Sequence, residues 1–321
     1  MVTCTRCGKE AGMLGSIAFN KQTNRCGKCD SDINNLLKQF RTHFINACSD
    51  GIITQEEWYA ITSPLASQGL SINEALNYVR GDALHFLERS LAFASADGYI
   101  TDVEELHILQ LKEFLQIPDV IAHNILQRLS YLKTLTCIRM GQLPSIIPSI
   151  HLDAGEICHL EVPAIYYKVN VRTITQIPGR LVATDKKLLF LSASGGSETL
   201  WKSVLRVDLQ LPNIYLELSK KSSNGSYYVQ DPVYVEAVLS TLIKLNKRQF
   251  LIPSNGIENR RIPQEVKVAV WNRDQGKCVE CGATEYLEYD HIIPFSKGGA
   301  SSVNNVQLLC RKCNLKKSDK I

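Results

Sequence analysis

The sequence predicts a multidomain α+β protein made of four folded segments, and three observations support this. The chain has 321 residues, and single hydrophobic cores rarely grow beyond about 250–300 residues. Eight of its 11 cysteines form CxxC pairs that lie near the two termini. Between them, helical apolar periodicity over residues 31–132 changes to short β-branched and aromatic runs over residues 153–247.

The composition is that of a folded protein without secretory or membrane-spanning character. Apolar residues make up 45% and charged residues 21% of the chain, close to globular averages, which excludes wholesale disorder. No apolar run approaches the ~20 residues that a membrane-spanning helix needs. The N-terminal MVTCTRCGKE lacks the apolar centre of a signal peptide. We therefore expect a cytoplasmic protein whose cysteines are thiols or metal ligands.

The net charge of +4 conceals an asymmetry along the chain. Residues 31–132 carry six basic and thirteen acidic side chains, whereas residues 260–321 carry eleven basic and seven acidic ones. From His291 onward there are six basic residues and one acidic residue. An anionic partner is therefore expected at the C-terminal end.

Two cysteine clusters have the spacing of four-thiolate metal sites. Each contains two CxxC pairs and a spacer, the arrangement that supplies four thiolates to a tetrahedral zinc ion. We predict one structural Zn²⁺ in each cluster, with the ligands Cys4, Cys7, Cys26 and Cys29, and Cys278, Cys281, Cys310 and Cys313. The remaining cysteines lie in apolar surroundings typical of buried structural thiols, namely Cys48, Cys137 and Cys158.

Residues 1–30 are predicted to form a zinc ribbon. The segment is too short for a hydrophobic core, so the metal must supply its folding energy. Its basic residues either contact nucleic acid or form a solvated surface, and the sequence leaves both alternatives open for Arg6, Lys9, Arg25 and Lys28.

Residues 31–132 are predicted to be helical and contain an internal repeat. The pattern D-G-x-I-T-x-x-E occurs at residues 50–57 and again at residues 97–104. A calcium loop needs oxygen ligands at its first and third positions, and both copies supply too few. The pattern predicts instead that Thr54 and Thr101 cap helices, with Glu57 and Glu104 completing capping boxes.

These two helical halves with acidic turns resemble the tellurite-resistance TerB-like helical domain. The resemblance implies an all-α fold over residues 31–132. Acidic residues of that family have been associated with metal binding. The resemblance therefore implies a candidate metal site formed by Asp50, Glu57, Asp97 and Glu104. A stress-response metal sensor built on this repeat is therefore one alternative function.

Residues 133–152 are predicted to be a linker that leads to a β-rich domain at residues 153–247. Strands are expected at residues 157–169, 180–183, 188–191, 204–209, 214–218 and 226–229. Turn signals separate them, including one at residues 194–197, and a helix is expected at residues 233–246. Antiparallel strands followed by one helix, with the phrase GRLVATDKKLLFLS, resemble a pleckstrin-homology (PH) or GRAM-like β-barrel. The resemblance implies a phospholipid or protein partner, or else a docking scaffold.

Residues 248–261 form a second predicted linker, and residues 262–321 carry the chemistry. The segment includes CVEC and then YDHIIPFSKGGASSVNNVQLLCRKCNLKK. Several residues stand at ordered spacings beside the cysteine pairs, namely Asp290, His291, Pro294, Gly298, Gly299, Asn305 and Asn314. This arrangement closely resembles the HNH endonuclease family, whose fold is a ββα-metal unit.

The chemistry of phosphodiester hydrolysis agrees with this resemblance. Neighbouring residues on a strand point to opposite faces, so Asp290 can ligate a metal while His291 activates water. The resemblance implies that His291 is the base, that Asp290 is a metal ligand, and that Asn305 orients the loop and holds the base. Asn314 stands where the family commonly has His, and its amide oxygen suits Mg²⁺ or Mn²⁺ better than zinc.

A basic cluster accompanies the predicted last helix. It can bind backbone phosphates and consists of Arg311, Lys312, Lys316 and Lys317. By resemblance, Arg273 also approaches the phosphate.

The sequence therefore predicts a metal-dependent endonuclease that hydrolyses DNA with water activated at His291, although nothing in the residues separates DNA from RNA. The resemblance and the order of the segments imply sensing domains that regulate an effector in prokaryotic defence or stress response. The alternative is a non-catalytic adaptor that binds nucleic acid, a membrane or a partner protein.

Overall fold

The structure, a computed structural model, describes residues 3–10, 19–49, 51, 53–169, 173–219, 224–247, 262–293 and 301–318. The chain divides into two compact units. The first combines Met1–Leu129 with Arg260–Ile321, and the second is Ser130–Asn259. The N-terminal cysteines, the acidic helices and the C-terminal segment therefore share one unit. Several predicted features lie outside the described residues, namely the linker 248–261, Asp50, Pro294, Gly298 and Gly299.

The N-terminal cysteine cluster leads directly into the first helix. Isolated β-bridges join Thr3 with Glu10 and Phe19 with Cys26. Helix α1, Gly27–Ala47, begins immediately after Cys26. Cys29 is buried in the first turn of α1, so the predicted boundary at residue 30 falls inside a helix.

Five further helices follow: α2 Gln55–Ser67, α3 Ile72–Tyr78, α4 Arg80–Ala94, α5 Asp102–Phe114 and α6 Asp119–Arg139. Both predicted capping boxes are present, with Thr54 and Glu57 at α2 and Thr101 and Glu104 at α5. Each box satisfies backbone N–H groups that a helix start leaves unpaired, and a cap of this kind contributes about 1 kcal/mol. No helix in the described part of the chain has the length and apolar character needed to cross a membrane.

Helix α6 extends further than the sequence predicts. The expected linker begins at residue 133, but α6 continues to Arg139. Leu135 and Ile138, about one turn apart, are buried in the core of the second unit. That buried apolar face accounts for the continued helix, since burial of a Leu or Ile side chain stabilises a fold by about 1.5–3 kcal/mol.

The second unit is a seven-stranded antiparallel sheet followed by a helix. Its strands are β1 Cys158–Val169, β2 Ile174–Thr184, β3 Lys187–Ser192, β4 Gly195–Leu200, β5 Val204–Gln210, β6 Asn213–Leu218 and β7 Gly225–Val229. They lie in the order β4-β3-β2-β1-β7-β6-β5. Helix α7, Pro232–Asn246, is capped by Asp231, whose side chain accepts a hydrogen bond from Tyr234 N at 3.0 Å. The buried side chains of α7 belong to the same core as those of the sheet.

Strand β4 is not expected from the sequence, which carries a turn signal at residues 194–197. In the structure Gly195 and Gly196 begin β4 and pair with β3. A Cβ atom on Gly196 would lie 2.9 Å from the Phe190 carbonyl oxygen. Glycine here permits a close approach of two strands. The predicted turn is present but lies earlier, at residues 193–194, and the two glycines belong to the strand that follows it.

The C-terminal part of the first unit is a helix, a hairpin and a second helix. Helix α8 spans Gln264–Arg273, strand β8 Leu287–His291 pairs antiparallel with β9 Val306–Cys310, and helix α9 spans Arg311–Ser318. Each strand of the hairpin carries buried side chains, among them Tyr289 on β8 and Leu308 on β9. The hairpin followed by α9 has the strand–strand–helix order of the expected ββα unit.

Candidate active site

The candidate active site lies at the end of β8, where Asp290 and His291 are neighbours. Gln307, opposite Asp290 in the hairpin, donates a hydrogen bond from Nε2 to Asp290 Oδ2 at 3.0 Å. Lys317 of α9 contacts the same carboxylate oxygen through Nζ and donates to the His291 carbonyl at 2.7 Å. Residues of both β9 and α9 therefore hold the carboxylate that the sequence predicts as a metal ligand.

His291 points from the opposite face of β8 and is half-buried. Its Nε2 lies 3.0 Å from Ser301 Oγ. Burial lowers the pKa of His291 below its ordinary value; the Asp290 carboxylate opposes this effect, and the Lys317 ammonium adds to it. At neutral pH the imidazole is therefore mainly uncharged and able to accept a proton.

Asn305 fastens the backbone that follows His291. Its Oδ1 accepts a hydrogen bond from Ile293 N at 2.9 Å, and its Nδ2 donates to the Ile293 carbonyl at 3.1 Å. Its own carbonyl accepts from Ile292 N at 2.7 Å. These bonds hold the segment after β8 against the segment before β9.

Asn314 of α9 contacts Glu288 of β8, a residue not predicted from the sequence to belong to the site. Its Nδ2 donates to Glu288 Oε2 at 2.7 Å, and Arg311 donates to Glu288 Oε1 at 3.3 Å. Glu288 precedes Asp290 by two positions on β8, so both side chains point to the face that α9 covers. Strand alternation is the signal that could have identified Glu288. Because Asn314 uses its nitrogen for Glu288, its Oδ1 is the atom suited to a cation.

The oxygen donors at this face fit a hard divalent cation. Asp290 and Asn314 lie on facing elements and offer carboxylate and amide oxygens, the ligands that Mg²⁺ and Mn²⁺ prefer. Glu288 adds a second carboxylate to the face. The Lys317 ammonium contacts Asp290 in this structure, so a cation bound at this face would replace that contact.

The basic residues divide into two groups. Lys312 and Lys316 are exposed on α9, whereas Arg311 and Lys317 contact Glu288 and Asp290. Arg273 differs from the expectation of a phosphate contact. Its guanidinium binds the Asp274 carboxylate at 2.7 and 2.9 Å and donates to backbone carbonyls at 2.6 and 2.8 Å. Its donors hold the start of β9 in place, and the phosphate contact of Arg273 stays a prediction.

The C-terminal cysteines converge as the sequence predicts. Sulfur atoms of Cys278, Cys281, Cys310 and Cys313 all lie within 4.8 Å of one another. Cys281 Sγ and Cys310 Sγ are 3.5 Å apart. Four sulfur atoms around a tetrahedral zinc ion, with Zn–S bonds of about 2.3 Å, lie about 3.8 Å from one another. Burial raises the pKa of the Cys278 thiol, but hydrogen bonds from backbone amides outweigh it and lower the pKa to about 6. A thiolate beside three more thiols fits a closed structural zinc site.

The N-terminal cysteines form a second such cluster. Their four sulfur atoms also lie within 4.8 Å of one another, and Cys7 Sγ and Cys26 Sγ are 3.8 Å apart. Hydrogen bonds from the backbone amides of Cys26 and Cys7 lower the pKa of Cys4 to about 6. This donor set also fits zinc. Of the other cysteines, Cys48 and Cys158 are buried.

Two basic residues of the N-terminal cluster are engaged within the unit. Arg25 forms a two-pronged ion pair with Glu74 at 2.6 and 2.9 Å. Arg6 donates to the Gln68 carbonyl at 3.0 Å and lies 3.6 Å from Asp32. Their contacts favour a structural role over nucleic-acid binding, whereas Lys9 and Lys28 are exposed.

The acidic repeat forms no metal-ligand cluster in the described part of the chain, where only the two cysteine groups bring three or more ligands together. Glu57 accepts hydrogen bonds from Thr54 N and Oγ1. In the second copy Asp97 and Glu104 both bind the ammonium of Lys267. A lysine thus occupies the position that a metal ion would need between these two carboxylates.

One comparison with known proteins matches the C-terminal segment. The family model described as HNH endonuclease matches residues 278–320. The Type IV methyl-directed restriction enzyme EcoKMcrA of Escherichia coli (strain K12) is 27% identical over 133 residues. That alignment covers 37% of this chain and 43% of the enzyme. Among solved structures, the Vps36 N-terminal PH domain aligns at 13% identity with a TM-score of 0.24, over 30% of this chain and 86% of that one.

The family match and the geometry coincide. Residues 278–320 contain both C-terminal cysteine pairs, the β8–β9 hairpin and helix α9. The candidate site residues all lie within this range. The C-terminal segment is accordingly an HNH endonuclease domain. This chain matches less than half the length of the restriction enzyme.

Proposed function

We propose that this chain is a metal-dependent, restriction-type endonuclease that hydrolyses DNA phosphodiester bonds. The observation that carries the proposal is the pair Asp290 and His291 at the end of β8, with oxygen donors on one face and a half-buried imidazole on the other. The site lies inside the segment that matches the HNH family, and a base beside a cation site is what phosphodiester hydrolysis requires.

His291 acts as the general base in this proposal. Its imidazole takes a proton from the attacking water, and the oxygen of that water then bonds to phosphorus as the leaving oxygen departs. Ser301 orients the ring, and Asn305 holds the backbone that follows it. No covalent bond between protein and substrate is needed.

Asp290 and Asn314 would hold the Mg²⁺ or Mn²⁺, and Glu288 would orient Asn314. When bound, the cation stabilises negative charge on the scissile phosphate and on the leaving oxygen. The exposed Lys312 and Lys316 bind flanking phosphates. The two cysteine clusters hold structural Zn²⁺, since four thiolates leave no open position for water.

The upstream segments are proposed to regulate this nuclease. The helical part is assigned as TerB-like from its acidic repeat. The second unit is assigned as PH/GRAM-like, which the antiparallel sheet followed by α7 supports. A phospholipid or protein partner would bind the second unit, and flotation with anionic vesicles separates these alternatives.

A cytoplasmic role in prokaryotic defence is proposed from the resemblance to the HNH family and from the order of the segments. The similarity to a methyl-directed restriction enzyme supports DNA, and methylated DNA in particular, as the substrate to test. Phage challenge of cells carrying the intact chain or its His291→Ala variant is the direct test. Protection that survives His291→Ala would count against nuclease-mediated defence.

Plasmid cleavage by the full chain tests the activity. We expect nicking or linearisation that requires Mg²⁺ or Mn²⁺ and falls at least about 100-fold in His291→Ala. His123→Ala is the matched control, because His123 is exposed on α6. Methylated plasmid, unmethylated plasmid and RNA of similar length define the substrate.

The same assay separates the enzyme from a nucleic-acid-binding adaptor. In an enzyme, His291→Ala keeps the DNA affinity and loses cleavage. An adaptor binds DNA equally in both forms and cleaves in neither, on any of the three substrates.

A further inference from the structure

Lys267 lies at the centre of a contact between two distant parts of the sequence. It belongs to α8, and its side chain is only 1% exposed. Its Nζ lies 2.9 Å from Asp97 Oδ2 and 3.1 Å from Glu104 Oε1. Both carboxylates belong to the second copy of the acidic repeat, so this turn binds a cation supplied by the nuclease segment.

The two carboxylates divide their oxygens between local and distant partners. Asp97 Oδ1 accepts a hydrogen bond from Tyr99 N at 3.0 Å, while Oδ2 faces Lys267. Glu104 Oε2 accepts from Thr101 N and Oγ1 at 3.0 and 2.7 Å, while Oε1 faces Lys267. The capping box therefore holds Glu104 in the orientation that receives the ammonium. Removing one partner of a buried ion pair leaves an uncompensated charge, which strongly destabilises a fold.

Apolar packing surrounds the same contact. Phe93 and Ala96, at the end of α4 and just after it, belong to one core with residues of α8, β8 and β9. The ring of Phe93 meets Trp271 edge-on at 5.8 Å and Tyr289 at 6.1 Å. The hydrophobic core of the nuclease segment is thus completed by side chains from the helical part.

Two contacts connect Lys267 and its surrounding core to the candidate active site. Tyr289 donates from its hydroxyl to the Lys267 carbonyl at 3.1 Å, and Asp290 and His291 follow Tyr289 directly on β8. Val306, in the shared core, pairs with His291 across the hairpin. The backbone of β8 is therefore fixed from the side that faces the acidic turn.

We propose that Lys267, held by Asp97 and Glu104, is a positioning residue of the nuclease that fixes β8, and with it Asp290 and His291, against the acidic turn. The inference rests on the proposed function in taking Asp290 and His291 as the reacting pair. It makes the helical part an integral component of the nuclease fold rather than a separable sensor.

The test uses the full chain and three variants. Lys267→Met removes the ammonium at similar volume. Lys112→Met is the matched control, because Lys112 is equally a buried lysine in an ion pair, with Glu113 and Asp119 of the helical part as its partners. Tyr289→Phe removes only the hydroxyl and keeps the core filled, so it serves if Lys267→Met does not fold. Amide hydrogen exchange, zinc content, kcat and KM for plasmid are measured.

We expect Lys267→Met to speed exchange of residues 95–104 and of the β8–β9 hairpin together, by at least about tenfold. Its kcat falls while KM stays constant, because Lys312 and Lys316 on α9 are unchanged. Tyr289→Phe gives smaller changes in the same direction, and Lys112→Met leaves the hairpin unaffected.

Two results would overturn the proposal. The first is that amide exchange of the β8–β9 hairpin in Lys267→Met is no faster than in the intact chain or in Lys112→Met. If Lys267→Met does not fold, the same comparison is made with Tyr289→Phe. The other is a loosened hairpin with unchanged kcat. Amide exchange can be measured without any cleavage. If the intact chain never cuts DNA but Lys267→Met still loosens residues 95–104 and the hairpin together, the proposed function is refuted and the contact between the acidic turn and β8 is established.

Discussion

Asn314 donates its side-chain amide to Glu288 Oε2 at 2.7 Å, and this bond ties helix α9 to strand β8 on the face that carries Asp290. An amide whose nitrogen is held by a carboxylate presents its oxygen elsewhere. In the proposed site, Glu288 would therefore decide which end of the Asn314 amide faces the cation.

Replacing Glu288 with Gln should weaken the cation site. The neutral side chain no longer selects the amide nitrogen of Asn314, so the Asn314 oxygen is less often available. We expect the Mg²⁺ concentration that gives half-maximal cleavage to rise about 10–100-fold, the usual effect of losing a group that orients a ligand. Glu285→Gln, exposed and three residues earlier, should leave the titration unchanged. Equal Mg²⁺ dependence in all three proteins would contradict this role.

Replacing Lys317 with Ala should have the opposite effect on the metal requirement. The Lys317 ammonium lies against Asp290 and partly neutralises the charge that attracts a divalent cation. Its removal should lower the half-saturating Mg²⁺ concentration severalfold. Lys316→Ala, its exposed neighbour on α9, removes the same charge from the helix surface and should weaken DNA binding only. If both variants shift the Mg²⁺ titration equally, the effect comes from overall charge and not from Asp290.

The two cysteine clusters should differ in what they support. Cys313→Ser and Cys4→Ser should each reduce bound zinc from two ions to one per chain, as counted by elemental analysis. Cys313 lies one position before Asn314 on α9, so its loss displaces a candidate ligand and should abolish cleavage. Cys4→Ser should lower the melting temperature and retain more activity at 25 °C. Unchanged zinc content in either variant would contradict the prediction of a zinc site at that cluster.

Acid should loosen the contact around Glu104. Burial raises the pKa of this carboxyl, but the Lys267 charge and the hydrogen bonds from Thr101 outweigh burial and hold the pKa below its ordinary value of 4.5. A lowered pKa in the folded state contributes stability that is present above pH 4.5 and lost as pH falls through the folded value. The melting temperature should therefore fall as the pH drops below 4.5, and less steeply in Glu104→Gln.

Glu57→Gln is the control for that measurement. Glu57 occupies the same position in the first copy of the repeat and makes the same cap, with Thr54 as its partner. Hydrogen bonds from Thr54 also lower the pKa of Glu57, so Glu57→Gln removes the acid dependence that comes from capping alone. It leaves Lys267 and Glu104 paired and should flatten the acid dependence less than Glu104→Gln does. If both variants flatten the pH dependence of the melting temperature equally, the effect comes from helix capping alone.

Features encoded by neighbouring residues were predictable, and those encoded by distant residues were not. The capping boxes follow from residues three apart, and the cysteine clusters from fixed spacings. The glycine pair 195–196 lies in a strand and not in the predicted turn, because a residue that permits a turn also permits close strand pairing. Lys267 and Glu104 are 163 positions apart, and a lysine in a short helix carries no sign of its partner.

The division of the first unit into Met1–Leu129 and Arg260–Ile321 has a consequence for synthesis. A ribosome makes Phe93 and Ala96 well before it makes the strands that cover them. The whole second unit is produced in the interval. Until residues 262–310 leave the exit tunnel, the acidic turn has neither Lys267 nor its apolar cover. A nascent or prematurely terminated chain that ends before β9 consequently lacks Val306 and Leu308, which complete this core.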